Sequence, residues 1–175
     1  MIAKAFAMGV AALLARFPAV HVQLVDVDSS RAAVAMALGV EFAQPAQAAP
    51  GRDLVVHTSA TGEGLQLALN LLASEGTVLE LSWYGDRTVG LALGGVFHSG
   101  RLTIRSSQVG AIAPARRGRR THADRLRLAL ELLRDPAFDA LRDGTSAFDD
   151  LPKVLADMAA GAGPVLSHVI AYGQE

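Results

Sequence analysis

Asp26 closes the apolar run Val22-Gln23-Leu24-Val25 and is followed by Val27-Asp28-Ser29-Ser30-Arg31, so a carboxylate stands where a buried strand turns into a helix. A carboxylate so placed can accept two hydrogen bonds from the vicinal diol of a ribose. The motif that usually accompanies it is a strand running into Gly-x-Gly-x-x-Gly, whose amides face a pyrophosphate. Gly9 is the only glycine before Asp26. The chain thus reads as the sugar-recognising half of a nucleotide site without its phosphate-binding half.

Two further clusters could line a ligand. His57-Thr58-Ser59-Ala60 and Ser82-Trp83-Tyr84-Gly85 each follow an apolar run, and in an open parallel sheet such strand ends border the ligand crevice. His57-Thr58-Ser59 invites a nucleophile reading, but no Gly-x-Ser-x-Gly elbow surrounds it, and serines are common in strand-end turns. His21, His57, His98, His122 and His168 are far apart and form no His-x-x-x-His pair, so they read as structural. No catalytic residue and no metal ligand is singled out. Arg116-Arg117-Gly118-Arg119-Arg120 reads as a solvated loop or a patch for an acidic partner, since a net charge of -1 supplies no field to gather nucleic acid. Trp83 and Tyr84 read either as part of the site or as packing for a neighbouring lobe.

The elements that must hold these residues alternate. A helix over about 3–16 buries Phe6, Val10, Leu13 and Leu14 and is stopped by Pro18; its apolar run is too short to span a bilayer and lacks a small-x-small cleavage site, so it reads as core rather than signal. There follow a strand over 21–26, a helix over 30–38 with Asp28 or Ser29 at its start and Gly39 at its end, a short strand at 40–42 and a loop over 44–52. A strand over 53–58, a helix capped by Thr61, and a strand over 77–81 come next. Strands over 89–93 and 102–106, helices over 122–134 and 150–160, and a strand over 164–172 complete the chain. Alternation of this kind predicts an α/β fold, a doubly wound parallel sheet of Rossmann type lacking its first strand. Residues 1–105 form the partial dinucleotide-binding domain, and residues 106–175 an appended C-terminal α/β lobe. Apolar residues at 51% and charged residues at 19% suit a sheet covered on both faces. A chain without cysteine has no disulfide framework and fits a reducing cytoplasm.

Asp26 to Arg31, the helix-closing Gly39, the stretch Ala68-Leu69-Asn70-Leu71-Leu72-Ala73-Ser74-Glu75-Gly76-Thr77-Val78 and the ending Phe148-Asp149-Asp150-Leu151-Pro152 are laid out as in the medium-chain dehydrogenases, the zinc-type alcohol dehydrogenase superfamily. From Val22 onward the chain resembles the C-terminal, cofactor-binding half of such an enzyme. The resemblance implies hydride transfer between a nicotinamide and an alcohol or carbonyl. It implies that Asp26 and Arg31 hold the adenosine ribose, that Thr58 and Ser59 border the adenosine side, that Ser82 and Trp83 border the nicotinamide side, and that Gln108 offers main-chain groups to the carboxamide. NAD is expected over NADP, because a 2'-phosphate about 4 Å from Asp26 costs on the order of 4 kcal/mol before screening. The bland alternative makes Asp26 a polar strand end and Arg31 a solvated helix residue.

The family's zinc and proton relay belong to a catalytic domain with no counterpart in these residues. The absent first strand is central in the order 3-2-1-4-5-6, and its loss leaves two strands beside a gap; the expectation is that the start assigned here lies inside a longer dehydrogenase gene. A homodimer through a sheet edge, over 89–93 or 102–106, fits the same family, with no nucleic-acid or membrane partner. A nucleotide-binding or assembly module without chemistry, and an inactive remnant, remain the alternatives.

Overall fold

The computed structural model describes residues 3–162 and 166–173. Contacts divide the chain into two units, one of Met1–Leu24, Ser29–Phe42 and Asp135–Glu175, the other of Val25–Asp28 and Ala43–Arg134. The division is discontinuous because the last forty residues or so pack with the first helix rather than with the segment preceding them.

In the first unit, α1 (Ala3–Leu14) is nearly all apolar, so its sequence offers no unique stripe to the core. Packing selects Met8, Ala11 and Ala12, which are buried with Leu24, Ala35, Leu38, Val40, Phe138 and Leu166, while the expected core residue Phe6 is 49% exposed. Small residues at 11 and 12 permit close approach where Phe6 would not fit. Arg16 closes the helix: its guanidinium donates to Ala12 O at 2.6 Å, pairs with Asp135, and lies 4.7 Å over the Phe138 ring. Those contacts tie residues 135–138 to the first helix.

β1 (Gln23–Val25) and β2 (Glu41–Ala43) form a two-stranded sheet, joined by α2 (Arg31–Ala37). Gly39, at φ +74°, ends that helix in a backbone conformation that glycine adopts without cost. The residue at the start of α2 is Ser30, which makes no side-chain cap, and neither Asp28 nor Ser29 takes the expected place.

The second unit holds the parallel sheet β3 (Arg52–His57), β4 (Leu72–Glu80) and β5 (Thr103–Ser106), in that order. α3 (Gly62–Leu71) connects β3 to β4 and buries Leu65, Ala68 and Leu69 against Val78 and Leu102. Among the described residues β1 and β3 are not paired. The strand expected over 89–93 does not form. Val89 and Leu91 pack on the core of this unit as a loop, and Leu93–Phe97 winds into a helical turn. Alternate apolar residues there are buried without strand pairing, and Gly90, Gly94 and Gly95 loosen the backbone around them.

α4 (His122–Leu132) begins with a capping box in which Thr121 and Asp124 exchange side-chain and backbone hydrogen bonds. In the first unit β6 (Arg142–Ala147) pairs in parallel with β7 (Ser167–Ala171), and α5 (Leu151–Ala159) connects them with Pro152 in its first turn. β6 was not expected. Of the strand expected over 164–172, Pro164 and Val165 lie outside the described residues.

Candidate functional site

β3 and β4 run in register to His57 and Glu80, which pair directly at the C-terminal end of the sheet. Both side chains are buried, at 5% and 11% exposure, with His57 Nδ1 2.7 Å from Glu80 Oε2. On the other side of the ring, Nε2 is 2.8 Å from Ser59 Oγ, and Ser59 Oγ is 2.9 Å from Thr61 Oγ1. Thr61 is the N-cap of α3, accepting the amide of Gly64 at 3.1 Å.

The chemistry of these groups fixes the direction of the chain. An ionised carboxylate only accepts, so His57 donates from Nδ1 to Glu80, and its Nε2 accepts from the Ser59 hydroxyl. Ser59 Oγ in turn accepts from the Thr61 hydroxyl, whose oxygen takes the Gly64 amide. Glu80 is satisfied on both oxygens: the Ser82 amide donates to Oε1 at 2.7 Å and the Tyr84 hydroxyl to Oε2 at 3.0 Å. Burial pushes the Glu80 pKa up, but hydrogen bonds from the Ser82 side chain and amide and from His57, with the imidazole's charge, together hold it below its usual 4.5. For Tyr84, burial, the hydrogen bond to Glu80 and the negative charge there push the pKa up to about 12.

Glycine at 64 is a requirement of this arrangement. A Cβ there would stand 2.2 Å from Ser59 Oγ and 2.9 Å from both His57 Nε2 and Thr61 Oγ1. Ala60, between the two hydroxyl residues, adopts φ +54°, a left-handed conformation costing roughly 1–2 kcal/mol. It is held from both sides, its amide donating to Ser82 Oγ at 3.1 Å and its carbonyl accepting from Arg87 Nη2 at 3.3 Å. The turn opens onto a cleft of about 550 Å³ whose walls include Ala60, Thr61, Gln66, Tyr84, Arg87 and Val89. Thr61→Ala is expected to lose a cap worth about 1 kcal/mol, seen as a lower urea midpoint at unchanged slope, while Thr61→Ser keeps most of it.

Asp26 is half-buried just beyond β1, with Oδ1 accepting the Asp28 amide at 2.9 Å and its own amide donating to Ala43 O at 3.2 Å. A carboxylate has about four acceptor positions, so this turn leaves capacity for a diol. Arg31 is 4% exposed, which rules out a solvated helix residue. Thr58 is half-buried and Ser59 exposed, both directly after β3, and Ser82 bridges the β3 and β4 ends through the Ala60 amide. Trp83 projects into solvent at 88% exposure, whereas its neighbour Tyr84 turns inward to Glu80. Gln108 is exposed, with its carbonyl accepting the Ala111 amide. The His57, Ser59 and Ser82 side chains meet in one network. Tyr84, read from sequence as either site or packing, joins this network through Glu80. Glu80 is not singled out by the sequence; only the pairing of the two strand ends identifies it.

Among the described residues no group of three or more His, Cys, Asp or Glu side chains is placed to hold a metal ion. Nor is any described helix long and apolar enough to cross a membrane.

No protein-family profile matches the sequence, and no curated protein does. The fold is nevertheless that of dehydrogenase halves. An alcohol dehydrogenase zinc-binding domain protein from Burkholderia ambifaria is 20% identical with a TM-score of 0.74, the match covering 98% of this chain and 47% of that one. An alcohol dehydrogenase from E. coli CFT073, solved with NADH, is 12% identical with a TM-score of 0.69 over 90% of this chain and 46% of its own. E. coli K-12 YHDH, solved with NADPH, is 15% identical with a TM-score of 0.63 over 93% and 50%. The chain spans about half the length of the solved structures it matches.

Proposed function

We propose that these residues are the cofactor-binding part of an NAD(P)-dependent oxidoreductase of the zinc-type alcohol dehydrogenase kind, transferring hydride between nicotinamide and an alcohol or carbonyl. The observation that carries this reading is Asp26, a half-buried carboxylate at the C-terminal end of a strand with acceptor capacity beyond its own turn. The likeness in fold to dehydrogenases solved with NADH and with NADPH supports a nicotinamide cofactor. In this reading Asp26 holds the adenosine ribose with help from Arg31, while Thr58, Ser59, Ser82, Trp83 and Gln108 border the rest of the cofactor. When bound, the cofactor supplies the hydride chemistry; the chain's residues orient it.

The substrate pocket and the proton relay for hydride transfer come from a catalytic domain outside these 175 residues. In this reading residues 1–105 are the dinucleotide-binding domain and 106–175 its appended C-terminal lobe, in a cytoplasmic protein. Dimerisation runs through β5, which is an edge of its sheet and offers unpaired main-chain groups.

Calorimetric titration with NAD and NADP tests the assignment, with the fluorescence of the single tryptophan, Trp83, as a second signal. Asp26→Ala is expected to weaken NAD by roughly tenfold or more through the loss of a charged hydrogen-bonding partner. NADP is expected to weaken less, or to tighten, because the repulsion of its 2'-phosphate is removed. Equal weakening of both cofactors removes the ribose role from Asp26.

A further inference from the structure

We propose that Ser59, His57 and Glu80 form an acyl-transfer centre, in which Ser59 is a nucleophile activated by His57 and the chain hydrolyses small carboxylic esters bound in the adjoining cleft. This activity is separate from nicotinamide chemistry and requires no cofactor.

The geometry meets the requirements of an activated serine one by one. The nucleophile and the base are in hydrogen-bond contact, Ser59 Oγ to His57 Nε2 at 2.8 Å. The base is oriented by a buried carboxylate on its other nitrogen, Glu80 Oε2 to Nδ1 at 2.7 Å. That carboxylate is held in place by Ser82 and Tyr84, so the imidazole ring has one orientation and one tautomer. Ser59 itself is exposed, whereas the groups that activate it are not.

The surroundings add two features. Ser59 precedes Ala60, whose left-handed backbone turns the chain sharply between β3 and α3, and Ala60 to Glu63 line the cleft. Gly62 and Glu63 begin α3, and the amides of a helix's first turn are directed outward from its N-terminus, where they can stabilise an oxyanion. The sequence lacks a Gly-x-Ser-x-Gly elbow; here Gly64 lets the backbone of α3 pack closely against Ser59 Oγ and His57 Nε2, which holds the two groups in contact.

The reaction balances without a co-reactant other than water. Ser59 Oγ forms a bond to the ester carbonyl carbon as its proton passes to His57 Nε2. The carbon–oxygen bond to the leaving group breaks, and His57 returns the proton to the departing alcohol. Water then attacks the acyl-serine, giving a proton to His57 and releasing the carboxylic acid, and the proton returns to Ser59. Ser59 and His57 are the catalytic residues; Glu80 is a positioning residue.

The test uses the full 175-residue chain with 4-nitrophenyl acetate and a fluorophosphonate probe, the modified residue being located by peptide mass. Expected are one adduct per chain at Ser59, none at that peptide in Ser59→Ala, and a loss of ~100-fold or more in labelling rate in His57→Gln. In Glu80→Gln the labelling rate is expected to fall by about tenfold or more while affinity for the probe is unchanged, and in Glu80→Asp to recover in part, a pattern that a merely structural role does not produce. Circular dichroism reports whether each chain is folded. A folded chain that gives no adduct at Ser59, an adduct mapped elsewhere, or equal labelling rates in the unaltered chain and folded His57→Gln overturns the proposal.

Discussion

Glu80→Ala is expected to destabilise the second unit by about 3–5 kcal/mol. The cost comes from what is left behind. His57 would be buried with Nδ1 facing a void, and the Ser82 amide and Tyr84 hydroxyl would lose the acceptor they share. Each stranded donor carries a penalty of about 1–3 kcal/mol, larger than the transfer energy of the few methylene groups removed. Replacing both members of the pair by apolar residues, His57→Leu with Glu80→Leu, is expected to cost less than Glu80→Ala alone, since no buried polar group is then orphaned. Urea unfolding of the three chains checks the order. A double variant less stable than Glu80→Ala shows that the pair's hydrogen bonding is not what matters.

The same carboxyl gives the pH dependence its sign. Its folded pKa lies below 4.5, so the unfolded chain binds that proton more readily. Its contribution is therefore fully present above about pH 4.5 and fades as pH falls through the folded value. Tyr84 works in the opposite direction: with its pKa raised from 10.0 to about 12, its contribution holds below pH 10 and is lost as pH rises toward 12. In Glu80→Gln the acid limb flattens, and in Tyr84→Phe the alkaline limb does.

Most of the second unit's framework is legible in the residues. The apolar stripe Leu65, Leu69, Leu72 recurs at helical spacing behind Thr61, and Leu54-Val55-Val56 and Val78-Leu79 are short apolar runs bounded by polar turns. Val89-Gly90-Leu91-Ala92-Leu93 has the same alternation and is not a strand, because Val89 and Leu91 reach the core from a loop. In the opposite sense Arg142-Asp143-Gly144-Thr145-Ser146-Ala147 has no apolar pattern, yet pairs with β7 through its main chain. Its glycine admits the His168 ring: a Cβ at 144 would lie 2.8 Å from His168 Nδ1. Such a strand is specified by its neighbour and not by its own side chains.

The site divides along similar lines. Ser59 and Ser82 are visible as polar residues at strand ends. Glu80 is hidden, since one acidic residue closing an apolar run looks like punctuation, and nothing in the local sequence says that the strand beside it ends in a histidine at the same level. That information lies in the register His57 to Glu80, which is set by the length of α3 and the turns around it. Asp26 was legible because strand, carboxylate and helix start are contiguous.

Gly64→Ala carries the remaining large effect, and two opposing terms decide its sign. Alanine is the better helix former by roughly 1 kcal/mol, and Gly64 stands in the first turn of α3 with its backbone outside the left-handed region. Against this, the added methyl would lie 2.2 Å from Ser59 Oγ, a distance at which an atom must move. The flexible end of a surface side chain could yield cheaply, but Ser59 Oγ is held by His57 and Thr61, and His57 is held by Glu80. Relief therefore breaks hydrogen bonds at about 1 kcal/mol each, in addition to overpacking strain of about 1–3 kcal/mol. The strain and broken bonds win, and a net loss of about 2 kcal/mol is expected in urea unfolding. In a Ser59→Gly background the closest contact is gone, so the same change should cost at least 1 kcal/mol less by a double-mutant cycle. A Gly64→Ala chain that gains stability with Ser59 intact means that the first turn of α3 does not rest on the His57 and Ser59 side chains, and the serine and imidazole lose the enclosure on which their contact depends.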